Sequence, residues 1–274
     1  MSDILRVCGG QRLFGELTVA GSRGAGLALL AACSATQQQV ELVGLPQTRS
    51  IATQAEVLRL LGRTVEQAAD SWRVLPGHCH GSFLEEAQLP WSALLFVGPL
   101  VASRGECMLP IPRSTVGASP IDLYSKVLEA LGAVVEMDAG YLRAQGAELQ
   151  GVDICLDVPR FGVTWTAVTA ATRARGRTRI LGASRAPELV DAVNLLNRMG
   201  ARIVGAGTDV ITITGETSLA GGVHEVIPDR IAAGFYLIVA AATGGKLRVN
   251  GLISDHLRAV TAKLEDTGVE VEIG

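Results

Sequence analysis

A histidine–cysteine–histidine run and a serine-containing loop are the residues whose types first suggest chemistry. His78-Cys79-His80 contains metal-ligand side chains, but adjacent strand residues point to opposite faces and no second ligand group is spaced to complete a site. Ser114, in the loop Arg113–Leu123, is a nucleophile or proton donor only if a base activates its hydroxyl. No Ser–His–acid arrangement can be built around it. We therefore expect no metal site and no catalytic residue at either place.

The composition is that of a globular protein whose core is built from small and aliphatic side chains. Apolar residues make up 48% of the 274 residues, aromatic residues only 4%, and the net charge is −3. No basic face points to nucleic acid, and apolar runs such as 94–102 are too short to cross a membrane. Five scattered cysteines and the lack of a visible secretory signal predict a cytoplasmic protein with reduced thiols. The glycine pairs do not have the spacing of a phosphate-binding loop, so no cofactor is expected.

The elements that must position any functional side chain come as a repeat. A helix, a glycine, a strand, a turn and a second strand follow one another, as in LEALGAVVEMDAGYLRAQ. Glycine suits the positive φ that ends a helix. The helix-ending glycines, which by subtraction of their numbers lie 70, 68 and 68 residues apart, are Gly62, Gly132, Gly200 and Gly268.

Each repeat also contains a second helix that is apolar nearly all round, which predicts that this helix is buried. The repeating unit is therefore of βαβαββ size, larger than the usual solenoid repeat. Three copies fill residues 21–216 and predict one complete α/β domain. A fourth copy begins at GGVHEVIPDRIAAG, in which Pro228-Asp229 marks a helix start, so residues 1–20 with 217–274 predict part of a second domain.

Five segments occur in a distinctive order: RLFGELTVAGSRGAGLALLAA, GPLVA, VGASPIDL followed by LEALGA, APELVDAVNLLNRMGARIVGAGTDVITITG, and VIPDRIAAGFYLIVAA. In these segments, and along its whole length, the chain resembles the enolpyruvyl transferase family. The resemblance implies two inside-out α/β barrels of βαβαββ units, with the active site in the cleft between them. It also implies transfer of enolpyruvate from phosphoenolpyruvate to UDP-N-acetylglucosamine, a step of peptidoglycan synthesis.

The resemblance breaks at the positions that the family uses for catalysis. Ser114 stands at or next to the family's catalytic cysteine, and a serine hydroxyl does not imitate a low-pKa thiol. Ser119 replaces a phosphate-gripping arginine, and Arg23 replaces a lysine with a planar guanidinium fork. A further family arginine falls at Pro90 or Trp91. The family's general-base aspartate and a final arginine have no counterpart in these residues.

These departures predict a pseudoenzyme that binds a nucleotide sugar or a protein partner without turning it over. Two alternatives stay open. One is an active transferase with a rearranged site, or one completed by a second chain that supplies the missing repeats. The other is a purely structural module made by truncation of the repeats.

Nucleotide binding is less clearly lost than catalysis. The family holds uridine through a turn that Pro120-Ile121-Asp122-Leu123 keeps, and its diphosphate loop corresponds to Val158–Gly162. There Arg160 would restore a phosphate contact and Phe161 would stack on a base. The alternative is that Asp122 only caps a helix starting near Leu123 and that Arg160 is a solvated loop charge. The candidate substrate-binding residues are Arg23, Pro120, Ile121, Asp122, Leu123, Arg160, Phe161 and Gly162.

The incomplete fourth repeat predicts a partner. In the family the N-terminal strands belong to the second domain, so they should pair here with VHEVI and KLRVN. The apolar helix 231–243 would then have one uncovered face and VEVEI an unpaired edge, and proteins usually cover both. We expect a homodimer through residues 217–274, or else a hetero-complex in which another chain supplies the missing repeats.

Overall fold

The structure is a computed structural model that describes residues 6, 8–77, 89–111, 121–138, 140–215 and 218–274. In these ranges the α-helices are α1 (Arg23–Ala32), α2 (Arg49–Leu60), α3 (Val97–Arg104), α4 (Ile121–Ala130), α5 (Phe161–Ala171), α6 (Pro187–Arg198), α7 (Arg230–Ala242) and α8 (Arg258–Asp266). The strands are β1 (Phe14–Thr18), β2 (Val40–Val43), β3 (Thr64–Gln67), β4 (Ser71–Leu75), β5 (Glu106–Pro110), β6 (Val134–Asp138), β7 (Tyr141–Gln145), β8 (Asp153–Cys155), β9 (Arg177–Leu181), β10 (Arg202–Val204), β11 (Val210–Thr214), β12 (Gly222–Glu225) and β13 (Lys246–Asn250).

The chain divides into two compact units, which we call the large and the small unit. The large unit is Arg23–Ile227, and the small unit combines Met1–Ser22 with Pro228–Gly274. The repeat pattern placed the divisions at residues 20 and 216 instead. The later division falls eleven residues further on because β12 belongs to a sheet of the large unit.

The large unit contains three sheets built to one pattern. Their strand orders are β12-β2-β4-β3, β5-β7-β6 and β10-β11-β9-β8. In each sheet the strand after the buried helix pairs antiparallel with the second strand of the following hairpin. The inside-out α/β fold that the family resemblance implies is confirmed, since helices α1, α3 and α5 are almost entirely buried inside the three sheets.

Strand β12 closes the large unit. It runs parallel to β2, with Gly222 opposite Val40, so a strand that the sequence pattern assigned to the fourth repeat completes the sheet of the first. The side chain of His224 in β12 is buried, and its Nε2 lies 2.8 Å from Asp191 Oδ1 on α6. The prediction that VHEVI pairs with the N-terminal strands was therefore wrong.

Close helix packing and one buried arginine hold the large unit together. A Cβ at Gly98 in α3 would overlap the hydroxyl of Thr169 and the backbone of α5, so only glycine permits this helix contact. Trp165 of α5 is fully buried and donates from Nε1 to the Leu95 carbonyl at 2.9 Å. Arg63, only 3% exposed, donates to three backbone carbonyls, those of Leu75, Thr36 and Gln38.

The predicted helix-ending glycines are confirmed. Gly62, Gly132, Gly200 and Gly268 have φ values of 84°, 95°, 102° and 85°. After each glycine, the next backbone N–H donates to a helix carbonyl five residues earlier, for example Ala133 N to Leu128 O at 3.0 Å. These bonds satisfy carbonyls that the end of a helix would otherwise leave unpaired.

The small unit is built on a two-stranded sheet in which β1 pairs in parallel with β13. The predicted pairing with KLRVN is thus confirmed. Asp229 caps α7 by accepting from the amides of Ile231 and Ala232 at 2.9 and 3.0 Å, which confirms the predicted helix start. The predicted strand VEVEI is wrong, because residues 269–273 form no strand. A strand needs a neighbouring strand to satisfy its amides and carbonyls.

One face of α7 is exposed over three turns. Ile231, Phe235 and Ile238 are 63%, 61% and 51% exposed, and only Ala233, Gly234 and Ala240 of this helix are buried. Beside it, a cavity of about 300 Å³ lies between α7 and β1 and is lined mainly by apolar side chains. The uncovered helix face expected from the sequence is therefore present.

Candidate functional site

The contact between α4 and α5 joins the two loops singled out from the sequence. The two helices pack against each other, so the Ile121-Asp122-Leu123 turn lies beside the segment that ends at Gly162. Lys126 Nζ of α4 lies 2.8 Å from Asp157 Oδ2, in the loop that leads to α5. The hydrogen bond to Asp157 raises the pKa of Lys126, and the same bond lowers the pKa of Asp157.

The N-terminus of α5 presents unsatisfied backbone donors. Arg160 occupies the N-cap position with an extended backbone, and no side chain caps the helix. Among the described residues, the amides of Phe161, Gly162 and Val163 have no hydrogen-bond acceptor. Three such amides, together with the helix dipole, favour an anion at this end of an eleven-residue helix.

Tyr124 brings a hydroxyl group to the same helix end. Its side chain is 5% exposed, and a Cβ at position 162 would overlap its hydroxyl oxygen. Glycine at 162 therefore makes room for the tyrosine. Burial raises the pKa of Tyr124 to about 12, an effect that nearby Arg160 partly opposes. The hydroxyl is thus protonated at neutral pH and can donate a hydrogen bond.

The other residues singled out from the sequence divide into four groups. Ile121, Leu123 and Phe161 are half-buried against the hydrophobic core, which leaves only part of each for a ligand. Asp122 is exposed in the first turn of α4, four residues before Lys126. Arg23 begins α1, a helix that packs chiefly against α2 and α6. Pro120, Ser114 and the His78-Cys79-His80 run lie outside the described residues.

Sequence reasoning missed Tyr124 and Lys126. Tyr124 directly follows the Pro-Ile-Asp-Leu segment, and Lys126 comes two residues later. The helical pattern assigns Tyr124 to packing and Lys126 to solvent. Their roles depend on the partner helix, and no local pattern in α4 names that helix. The glycine at 162 was the available signal, because a glycine at a helix start often marks a close approach by another group.

Neither a metal-ligand cluster nor a membrane-spanning helix occurs among the described residues. No group of three or more histidine, cysteine, aspartate or glutamate side chains is arranged there to hold a metal ion. No helix in the described ranges is both long and apolar enough to cross a membrane.

Comparison with known proteins assigns the chain to a family. Residues 7–274 match the family model of EPSP synthase (3-phosphoshikimate 1-carboxyvinyltransferase). The chain therefore belongs to the EPSP synthase family of enolpyruvyl transferases, as the resemblance in its sequence predicted.

Within this family the chain is close to UDP-N-acetylglucosamine 1-carboxyvinyltransferases. It is 40% identical over 281 aligned positions to the protein of that name from Yersinia pestis (strain Pestoides F), and equally to that from Yersinia pseudotuberculosis serotype O:1b (strain IP 31758). The alignment covers 99% of this chain and 66% of each relative. The chain thus spans just under two thirds of the length of the relatives it matches.

Solved structures show the same fold. The enolpyruvyl transferase NikO from Streptomyces tendae matches with a TM-score of 0.81 at 22% identity, covering 97% of this chain and 65% of NikO. An EPSP synthase from Acinetobacter baumannii matches with a TM-score of 0.72 at 18% identity, covering 95% and 60%.

Proposed function

We propose that this chain binds a uridine diphosphate sugar without converting it, as an inactive enolpyruvyl transferase. The observation that carries the proposal is the junction of α4 and α5, where the Ile121-Asp122-Leu123 turn adjoins the uncapped helix end at Gly162. The first turn of helix α4, where the resemblance places the uridine, and a helix end that suits a phosphate then lie side by side. The names of the 40%-identical relatives supply the sugar nucleotide.

Loss of catalysis is the second part of the proposal. It rests on Ser114 at or next to the family's cysteine position and on Ser119 in place of an arginine. Removing one group that stabilises developing charge costs about 2.7–4 kcal/mol of barrier in comparable sites. Several such losses together should make the transferase reaction too slow to measure. We propose a cytoplasmic location because the resemblance places the chain in peptidoglycan precursor synthesis.

Calorimetry with UDP-N-acetylglucosamine tests binding, and phosphate release from phosphoenolpyruvate plus that sugar nucleotide tests turnover. We expect heat of binding, no phosphate above a blank, and no adduct at Ser114 with epoxide inhibitors of the family. Arg160→Gln should weaken binding, whereas Arg175→Gln, which removes an exposed arginine paired with Glu148 at 3.3 Å, should not. Steady phosphate release that Ser114→Ala abolishes would instead support an active transferase with a rearranged site.

We also propose that the exposed face of α7 joins two copies of this chain. Ile231, Phe235 and Ile238 lie on one stripe without charged residues, and Phe14 of β1 is 70% exposed in the same unit. An exposed apolar stripe with this spacing is typical of a helix–helix interface. A stripe of this kind is self-complementary under two-fold symmetry.

Light scattering after gel filtration tests the dimer. Phe235→Asp should give a monomer, and Leu60→Asp, at a residue 57% exposed in the large unit, should leave the dimer intact. Leu237, by contrast, is half-buried, so an aspartate there would test stability rather than association. A wild-type monomer at micromolar concentration would contradict the homodimer. The alternative is a hetero-complex in which another polypeptide covers this face of α7.

A further inference from the structure

We infer that Tyr124 is the residue that reads a phosphate group of the ligand, by donating its hydroxyl to a phosphate seated on the first turn of α5. The inference rests on the proposed function, because it assigns the phosphate of the nucleotide to one particular corner of the candidate site. It adds a binding role for Tyr124, which no motif in the sequence indicated.

The first observation is the position of the Tyr124 hydroxyl. Tyr124 is buried except for its tip, since 5% of the residue is exposed, and the hydroxyl has no hydrogen-bond partner among the described residues. The hydroxyl is not one of the buried unpartnered side-chain atoms among the described residues, so it lies at the exposed tip where a ligand can reach it. Here the hydroxyl lies against Gly162, where a Cβ would displace it. It is therefore aimed at the first turn of α5.

The backbone of α5 carries the second step. The amides of Phe161, Gly162 and Val163 have no acceptor in the described chain, and the N-cap side chain of Arg160 forms no capping bond. The preceding loop is held in a tight turn by the bond from Arg160 N to Val158 O at 2.8 Å. A phosphate at this place would accept from these amides and from the tyrosine hydroxyl at once.

The surrounding charges show why a neutral donor matters. Arg160 acts on Tyr124, and the carboxylates of Asp122 and Asp157 act on Lys126. Lys126 is already hydrogen-bonded to Asp157. Because these two carboxylates offset the charge of Lys126, a directed hydrogen bond from Tyr124 would add to what Arg160 alone offers a phosphate.

The loop before α5 has no charged donor at position 158, because that residue is valine. Tyr124 then supplies a fixed donor with little rotamer entropy, because packing already holds its ring. The ligand group selected is a phosphate monoester or diphosphate, as found in a nucleoside diphosphate.

The test is a calorimetric titration of wild type, Tyr124→Phe and Tyr236→Phe with UDP, uridine and inorganic pyrophosphate. Tyr124→Phe keeps the ring and removes only the hydroxyl. It should weaken UDP and pyrophosphate binding about tenfold to a hundredfold, the loss expected for a hydrogen bond to a charged group, and leave uridine unchanged. Tyr236→Phe removes a hydroxyl from the small unit and should bind all three ligands like wild type.

A second variant guards against a trivial result. Gly162→Ala pushes the hydroxyl away from α5 and should reproduce the loss for UDP while thermal unfolding confirms that the variant is folded. Equal UDP affinity of Tyr124→Phe and wild type would overturn the inference and leave the proposed function standing. Tyr124-dependent binding of pyrophosphate without binding of UDP or UDP-N-acetylglucosamine would support the phosphate site and sink the proposed function. If wild type binds none of these ligands, both are wrong.

Discussion

Helices α5 and α7 are both largely apolar but have very different surroundings. FGVTWTAVTAA and RIAAGFYLIVAAA are both rich in alanine and apolar residues. Nine residues of α5, Val163–Ala171, are buried, and only three residues of α7 are buried. In the large unit α5 packs against α3 and α4, whereas in the small unit α7 packs against one parallel strand pair and α8.

The difference shows that burial is a property of the neighbours as much as of the helix. A parallel sheet is normally covered on both faces, and among its described residues the small unit has two strands, β1 and β13. The same type of sequence thus gives a closed core in one unit and an open apolar surface in the other. The following predictions compare matched positions in the two units.

The largest effect should come from the helical glycines. Gly98→Ala in α3 places a Cβ into Thr169 and the backbone of α5, and should lower the free energy of unfolding by about 3 kcal/mol or more. Gly234→Ala in α7 meets its nearest atom, in Leu257, at 3.6 Å. It should be neutral or stabilise by up to about 1 kcal/mol through helix propensity. Urea denaturation measures both, and equal losses would contradict the comparison.

The next effect concerns arginine. Arg63→Met leaves the carbonyls of Leu75, Thr36 and Gln38 without their donor, and should cost about 2–4 kcal/mol. Arg258→Met in the small unit removes a 78% exposed side chain paired with Asp255 at 2.9 Å. That loss should stay below about 1 kcal/mol. A small cost for Arg63→Met in the same denaturation assay would show that water replaces the guanidinium.

Hydrogen exchange should separate the units without any substitution. The amides of α5 should exchange only on global unfolding, and those of α7 and β13 should exchange through smaller openings, at least about tenfold faster. Formation of the proposed dimer should slow exchange in α7 selectively. Equal protection of both helices in the Phe235→Asp monomer would mean that the small unit is as stable as the large one.

The smallest effect is chemical. Burial raises the pKa of Cys33 and of Cys107 to about 12. Because a raised pKa keeps the thiol neutral below that value, neither should react with a disulfide reagent between pH 7 and 9 in the folded protein. Cys8 and Cys155 are exposed and should react. Counting the thiols of a Cys79→Ser variant before and after unfolding checks this, and more than two reactive thiols in the folded state would contradict it.

Local features of the fold were predictable from the sequence because they depend on neighbouring residues. Gly132 ends α4 through its own positive φ, and Asp229 caps α7 through amides two and three residues away. The partner of β12 was not predictable in this way. Val223 and His224 alternate as a strand should, but the strand they join, β2, lies about 180 residues earlier.

In the candidate site, too, local motifs were predictable from the sequence and contacts between helices were not. The Pro-Ile-Asp-Leu turn and the Val158–Gly162 loop were recognised as motifs, although their role in binding stays a prediction. Tyr124 of α4 lies so close to Gly162 of α5 that a side chain at position 162 would overlap it. This close approach exists only when the two helices are packed together. A glycine in the sequence marks such a place without saying what approaches it.

The pairing of β1 with β13 also sets an order of events during synthesis. Leu17 pairs with Val249, so β1 leaves the ribosome about 230 residues before its partner strand exists. At roughly 5–20 residues per second this is a wait of roughly 10–45 s. All of the large unit, Arg23–Ile227, is made within that interval and can fold first. Until β13 has been made, Phe14 and the rest of β1 lack the strand that pairs with them in the folded protein.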